Sequence, residues 1–299
     1  MIVKQSERTL AHGILVPSLT VFHEDTKQSV DEVRTAAHVD WLIQQGADAI
    51  IPAGSSGEFP ALKPEEAIRI FKIAIEASGG RVPVYPAVGR YSTYETIELA
   101  YVAKSALADG IMVLPPYYMK PSQEEILEHY RAVSRAVKLP IILYNNPATT
   151  GVEVSHETIV QLANEGLIHG VKSSQGTTDP TIELTKHPRL SSYYGHDLEP
   201  WSALTKGAHG WFSLLPNVIP SLAKKLLMSE GCQVRQDAWR RIEPLAKFVW
   251  GGSAHPIAIV KAALELQDRK VGVPRLPLHP LSAGGMKTLS ELLKKAGVL

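Results

Sequence analysis

The chain has 299 residues, a formal net charge of +1 and 44% hydrophobic residues, enough apolar material for a large core. That balance excludes a disordered chain and lacks the basic excess of a nucleic-acid-binding protein. No run approaches the roughly 20 apolar residues of a membrane helix, and the opening MIVKQSERTLAHG has no apolar stretch of signal-peptide length, so a cytoplasmic protein without membrane partners is expected.

Along the chain, short aliphatic runs alternate with amphipathic segments that carry helix caps. The runs are GILVPSLTVF (13–22), DAIIPAG (48–54), VPVYPAVG (82–89), GIMVLPP (110–116), PIILYNN (140–146), IHGVKSS (168–174), SSYYGHD (191–197) and GWFSLLPN (210–217). Between them, Ser29 with Glu32, Ser92 with Glu95 and Ser122 with Glu125 have capping-box spacing, and Asp179-Pro180 reads as an N-cap followed by a first-turn proline. Gly46, Gly79, Gly110 and Gly166 mark expected helix ends. Strands separated by single helices pair in parallel, and eight such units match a closed (β/α)8 TIM barrel better than an open doubly wound sheet.

Helical pattern continues to residue 299 through RQDAWRRIEPLAKFVW, AHPIAIVKAALELQ and TLSELLKKAG, more than one helix needs to finish a barrel. The expected division is therefore 1–229, a barrel carrying the active site, and 230–299, a helical extension packed on it. VGVPRLPLHPLSAGG is a Pro/Gly-rich connector before the last helix. Cys232 is the lone cysteine, which reads as a structural or incidental thiol.

Barrel enzymes place their chemistry at the C-terminal ends of the strands. After the second run comes GSSGEF, after the fourth PPYYMKPS, at the tip of the fifth Tyr144, and near the tip of the sixth Lys172. An ammonium buried in a barrel costs several kcal/mol unless it is paired or loses its proton. A neutral amine is the nucleophile that forms a Schiff base with a ketone. A lysine that snorkels outward or pairs with a carboxylate is the alternative. Tyr144, on the neighbouring strand, supplies a phenol that can relay the protons of imine formation. The glycine-rich GSSGEF turn can cradle a small carboxylate through backbone N–H groups and the Ser55 and Ser56 hydroxyls.

The ordered set AGSSGEF, PPYY…PS, YNNP…TG and GVKSS resembles the pyruvate-dependent class I aldolase family that contains dihydrodipicolinate synthase and N-acetylneuraminate lyase, over residues 13–230 or so. The resemblance implies that Lys172 is the Schiff-base lysine, that Tyr144 transfers protons and orients substrate, and that Ser55 and Ser56 bind the keto-acid carboxylate. It implies that Tyr118 reaches a neighbouring subunit's site in a homotetramer built as a dimer of dimers, and that Gly57 and Glu58 complete the signature, Glu58 with a structural role. No cofactor and no metal are implied.

Departures from the family pattern narrow the reaction. Thr149 stands where the synthases carry an arginine that grips a substrate carboxylate, and a hydroxyl does not replace a bidentate guanidinium. Ser174 adds a hydroxyl beyond the lysine, while Asp197 in GHD falls where sialic acid lyases bind sugar hydroxyls, though Leu198 replaces an acidic residue there. The expected reaction is Schiff-base cleavage or formation of a 2-keto-3-deoxy sugar acid or 4-hydroxy-2-oxo acid, with pyruvate released or condensed. Dehydration of a 2-keto-3-deoxy acid is the alternative, ahead of dihydrodipicolinate synthesis and of non-catalytic keto-acid binding. His12, His23, His196, His209 and His255 lack the spacing of a metal hydrolase, and neither GSSG nor KSSQG is a G-x-S-x-G elbow.

Overall fold

The computed structural model describes residues 10–175, 181–228 and 232–299. Seven strands lie in one sheet: β1 (Gly13–Val16), β2 (Ala49–Ile50), β3 (Ile111–Val113), β4 (Ile141–Asn145), β5 (Gly170–Ser173), β6 (Ser191–Tyr194) and β7 (Gly210–Phe212). Their order is β2-β1-β7-β6-β5-β4-β3, and all neighbours are parallel. Every strand residue is buried, which is why these segments read as continuous aliphatic runs and do not alternate.

The third expected strand, 82–89, is not one. Pro83 and Pro86 remove two ladder donors, and what remains is a pair of isolated parallel bridges, Ile50 to Val84 and Ala87 to Met112. These bridges reach both edges of the sheet: the Tyr85 amide donates to Ile50 O, and the Met112 amide to Pro86 O. The first and last runs also outlast their strands, since β1 ends before Pro17 and β7 stops at Phe212.

The helices are α1 (Glu32–Gln44), α2 (Pro64–Ser78), α3 (Thr93–Ser105), α4 (Gln123–Val137), α5 (Pro147–Thr150), α6 (His156–Asn164), α7 (Thr181–Leu184), α8 (Pro200–Thr205), α9 (Pro220–Met228), α10 (Cys232–Val249), α11 (Pro256–Leu266) and α12 (Ala283–Ala296). Ser122 and Glu125 form the expected capping box, and Ser92 caps α3. Asp31, not Ser29, caps α1, its carboxylate accepting from the Arg34 amide. Gly79 ends α2 in the left-handed region at φ 56°, whereas Gly110 lies before β3, where a Cβ would come within 2.7 Å of Pro140 O. Asp179 and Pro180 fall outside the described residues.

The C-terminal helices share an apolar cluster with the sheet: Ile242, Leu245, Ile259 and Leu289 pack with Ile14, Val16 and Trp211. No helix among the described residues is long and apolar enough to cross a membrane.

Candidate active site

Strand period decides which way Lys172 points. On β5, Val171 belongs to the helix-facing cluster with Leu143 and Val113, so Lys172 faces the opposite side, among Tyr144, Tyr193 and Phe212. Register places it directly between Tyr144 of β4 and Tyr193 of β6. Its Nζ lies 4.0 Å from the Tyr144 ring centroid and 4.6 Å from that of Phe212, and the residue is 5% exposed. Among the described residues no carboxylate lies within ion-pair distance of this nitrogen. It neither snorkels outward nor pairs there.

Tyr144 is buried, and its phenol oxygen accepts from Asn146 Nδ2 at 2.8 Å. Burial by itself raises a phenol's pKa, but the Lys172 ammonium and hydrogen bonds with Asn146, Ser174 and Ser55 more than offset it and hold Tyr144 below its ordinary value. The geometry requires Gly195 at the tip of β6. A Cβ there would meet Ser174 Oγ at 2.2 Å, Ser173 O at 2.4 Å and Lys172 Cε at 3.0 Å, so any side chain displaces the lysine stem.

A cavity of about 630 Å³ opens above these groups. Lys172, Tyr144, Ser55, Ser56, Ser174 and Thr149 all line it. Ser55 and Ser56 project from the turn after β2, which Thr20 fastens by donating its hydroxyl to Gly57 O at 2.8 Å. Thr149 rides on the single turn of α5 and accepts from Asn146 Nδ2 at 2.9 Å. An amine, a phenol held toward its anion, and hydroxyls around one void can together bind a keto acid and move its protons. Among the described residues no three His, Cys, Asp or Glu side chains come together as a metal site.

A family model for the dihydrodipicolinate synthetase family matches residues 10–296. This chain belongs to that family. It is 36% identical over 295 residues to the 4-hydroxy-tetrahydrodipicolinate synthase of Methylibium petroleiphilum, covering 96% of this chain and 98% of the relative. It is 35% identical over 281 residues to 4-hydroxy-tetrahydrodipicolinate synthase 1 of Halalkalibacterium halodurans, covering 92% and 94%. Among solved structures, the chloride-inhibited dihydrodipicolinate synthase of Acinetobacter baumannii, complexed with pyruvate, superposes with a TM-score of 0.89 at 32% identity, covering 96% of this chain and 99% of that one. The chain is thus an enzyme, a lyase of the Schiff-base class I aldolase type.

As a member of the dihydrodipicolinate synthetase family it departs from one expectation drawn on the sequence. Asp197 does not reach the cavity. Its fully buried carboxylate accepts from Trp250 Nε1 at 3.0 Å and from the Leu215 amide at 3.2 Å, and it is the preceding residue, His196, that lines the void. Burial pushes Asp197 up to about 6, against the pull of these donors, Ser213 and the Lys172 charge. Tyr118 is 83% exposed on the outer surface and does not line this chain's cavity, whereas Tyr117 packs against Phe59 and Tyr91.

The C-terminal extension contributes a wall that the sequence did not signal: Trp250, His255, Ile257, Arg275, Leu276 and Leu278. An ion network anchors it. Glu58, in the strand-two signature, pairs with Lys261 of α11 at 2.7 Å, both essentially buried, and accepts from the Arg275 amide at 2.8 Å. Burial lowers the Lys261 pKa while Glu58 opposes that shift. The Arg275 guanidinium in turn grips Glu66 of α2. Glu58 therefore has the structural role expected of it, fastening the turn that carries Ser55 and Ser56.

Proposed function

We propose that this lyase cleaves or forms the C3–C4 bond of a 4-hydroxy-2-oxo acid, with pyruvate as the keto-acid fragment, and that 2-keto-3-deoxy acids belong to the same reading. The observation that carries it is the buried Lys172 amine beside the Tyr144 phenol, without a carboxylate partner among the described residues. The Lys172 amine attacks the C2 ketone, and water leaves to give an iminium. Tyr144 takes the C4 hydroxyl proton, the C3–C4 bond breaks, and its electron pair flows into the iminium as an aldehyde departs. Protonation of the enamine at C3 and hydrolysis then release pyruvate and the free amine. Ser55 and Ser56 hold the carboxylate, and Ser174 and Thr149 meet the C4 end.

The supporting architecture is an eight-staved barrel, residues 84–87 serving as the stave that bridges β2 to β3, divided as 1–229 with 230–299 closing the cavity. A homo-oligomer fits the exposed Tyr91, Tyr94, Tyr101, Leu107, Tyr118 and Met119, which lie within a single 29-residue stretch. The names of the relatives favour a second reading, 4-hydroxy-tetrahydrodipicolinate synthesis. Thr149 weighs against it, because a neutral hydroxyl stands where a substrate carboxylate would need a guanidinium. Elimination of the C4 hydroxyl from the same iminium would make the enzyme a dehydratase.

Incubation with pyruvate and borohydride, followed by intact mass and peptide mapping, tests the mechanism. A reduced pyruvyl adduct on Lys172 is expected. A folded protein that gives no adduct with pyruvate or with longer 2-keto acids would be a binding protein instead.

A further inference from the structure

We infer that Asn146 is a positioning residue for Tyr144: its side-chain amide nitrogen donates to the phenol oxygen and fixes how that oxygen faces the Lys172 adduct; this rests on the Schiff-base reading above. Two adjacent asparagines stand at the tip of β4 and take opposite sides. Asn145 is fully buried and uses its side chain on Val154, donating to the carbonyl at 2.9 Å and accepting from the amide at 3.1 Å. Asn146, two residues beyond Tyr144, lines the cavity. Its Nδ2 donates to Tyr144 Oη at 2.8 Å and to Thr149 Oγ1 at 2.9 Å, which uses both amide protons.

Asn146 holds the N-cap position of α5, where an asparagine ordinarily turns its side-chain oxygen onto the amides of the first turn. Here it makes no such bond. Its backbone is anchored by its carbonyl, which accepts from the Thr149 and Thr150 amides at 3.1 and 3.0 Å and from Thr150 Oγ1 at 3.0 Å. The side chain is turned away from the cap and toward the phenol.

Of the groups that favour the phenolate, this amide is the constant one. Lys172 acts through its charge, which is lost when the amine attacks a ketone and restored in the iminium. The Ser55 and Ser174 hydroxyls rotate between donating and accepting, and Ser174 gives its proton to Gly195 O at 2.8 Å. An amide nitrogen only donates. The other titratable groups on that inward face or lining the cavity are engaged elsewhere. Tyr85 and Tyr193 meet the Ala11 backbone through their hydroxyls, and Tyr117 packs on Phe59 and Tyr91. Glu58 holds Lys261, and Arg275 grips Glu66. His196 and His255 accept the Leu198 and Ile257 amides at Nδ1, and Asp197, beside them, accepts from Trp250.

The phenol so aimed serves imine formation. Of the three Lys172 ammonium protons, two travel by way of the phenol oxygen to the former carbonyl oxygen of the keto acid. That oxygen leaves as water with the C2–O electron pair, the third proton stays on the iminium nitrogen, and the phenol is restored.

The test uses pyruvate as the probe. Adduct formation on Lys172 is timed by borohydride quenching and intact mass in the wild type, Asn146→Leu, Asn146→Asp, Tyr144→Phe and the double variant Asn146→Leu/Tyr144→Phe. Tyr144 is titrated through tyrosinate absorbance, as the difference between chains with and without its hydroxyl. Asn146→Leu should slow the adduct by about tenfold, the effect of one hydrogen bond lost, with the final yield at saturating pyruvate unchanged. The Tyr144 titration should move up by about one pH unit, and further in Asn146→Asp, which has the same shape but accepts where the amide donates. In the Tyr144→Phe chain, Asn146→Leu should cost less than about twofold, because it acts through the phenol. A merely structural role would cost rate there too. A tenfold loss that persists without the phenol, or a Tyr144 titration that Asn146→Leu leaves in place, overturns the positioning role while wild-type trapping keeps the Schiff-base reading. Absence of a wild-type adduct overturns that underlying reading. If Asn146→Leu does not fold, the titration of Asn146→Asp decides, and a phenol that titrates no higher than in the wild type overturns the inference.

Discussion

Two lysines are buried among the described residues, Lys172 on β5 and Lys261 on α11, at 5% and 1% exposure. Both ammonium nitrogens lie over aromatic rings, Lys172 over Tyr144 and Phe212, Lys261 over Phe22 at 4.6 Å. They differ in their counter-charge. Lys261 holds Glu58 at 2.7 Å and donates to Val273 O at 3.1 Å, so its charge is matched and its protons are used. Lys172 faces a phenol and a void. Matched charge fixes a lysine as a fastener; a buried amine left beside a cavity is held for chemistry.

Removing each head group should separate these roles. Lys172→Met is expected to lower turnover by about four orders of magnitude or more and to abolish borohydride trapping, while the melting temperature holds or rises, because a buried cation without a carboxylate is replaced by an apolar chain. A clear loss of stability would break the comparison by making Lys172 a fastener too. Lys261→Met should do the reverse. It leaves the Glu58 carboxylate buried and unpaired, at a cost of about 3–5 kcal/mol in urea unfolding, and Glu58→Gln in the same chain should recover part of that loss. Equal stability of the single and double variants would show that the pair is not what couples α11 to the Ser55–Ser56 turn.

Tyr144→Phe sharpens the reactive half. Loss of the phenol should cost about 10²–10³-fold in turnover, as general acid–base groups do, while the Lys172 adduct with pyruvate still forms, more slowly. An unchanged rate would move the proton relay to Ser55 or Ser174, the other hydroxyls gathered at that oxygen.

What the sequence disclosed follows the range over which each feature is encoded. Lys172, Tyr144, Ser55, Ser56, Ser174 and Thr149 are all found at the cavity because each belongs to a run end, and run ends are local. Asn146 stood in the YNNP segment without a role; its signal was its place two residues beyond Tyr144, where an amide folds back on the phenol. Trp250 and Asp197 meet across 53 residues, and Arg275 and Glu58 across 217, with no periodicity to announce either contact. His196 and Asp197 lie in the bend after β6, where no strand alternation tells from the sequence which neighbour faces the cavity, and it is His196 that lines it. The loss of the third strand was legible, for Pro83 and Pro86 already forbid a full ladder.

Asp197 offers the finest test of the contrast, because it is a buried acid whose ionisation responds to Lys172. Its folded-state pKa of about 6 lies above its ordinary 3.8. The folded protein therefore holds that proton more tightly than the unfolded chain. The resulting stabilisation is full below about pH 3.8 and is lost as pH rises through about 6. Relative to Asp197→Asn, which does not titrate, the wild type should gain about 2 kcal/mol in unfolding free energy between pH 7.5 and 4.5. In a Lys172→Met background the cation that favours the Asp197 carboxylate is gone, so the same gain should begin at higher pH. A window that stays in place would mean that the Lys172 charge does not reach Asp197, leaving Trp250, Ser213 and the Leu215 amide as the groups that hold it down.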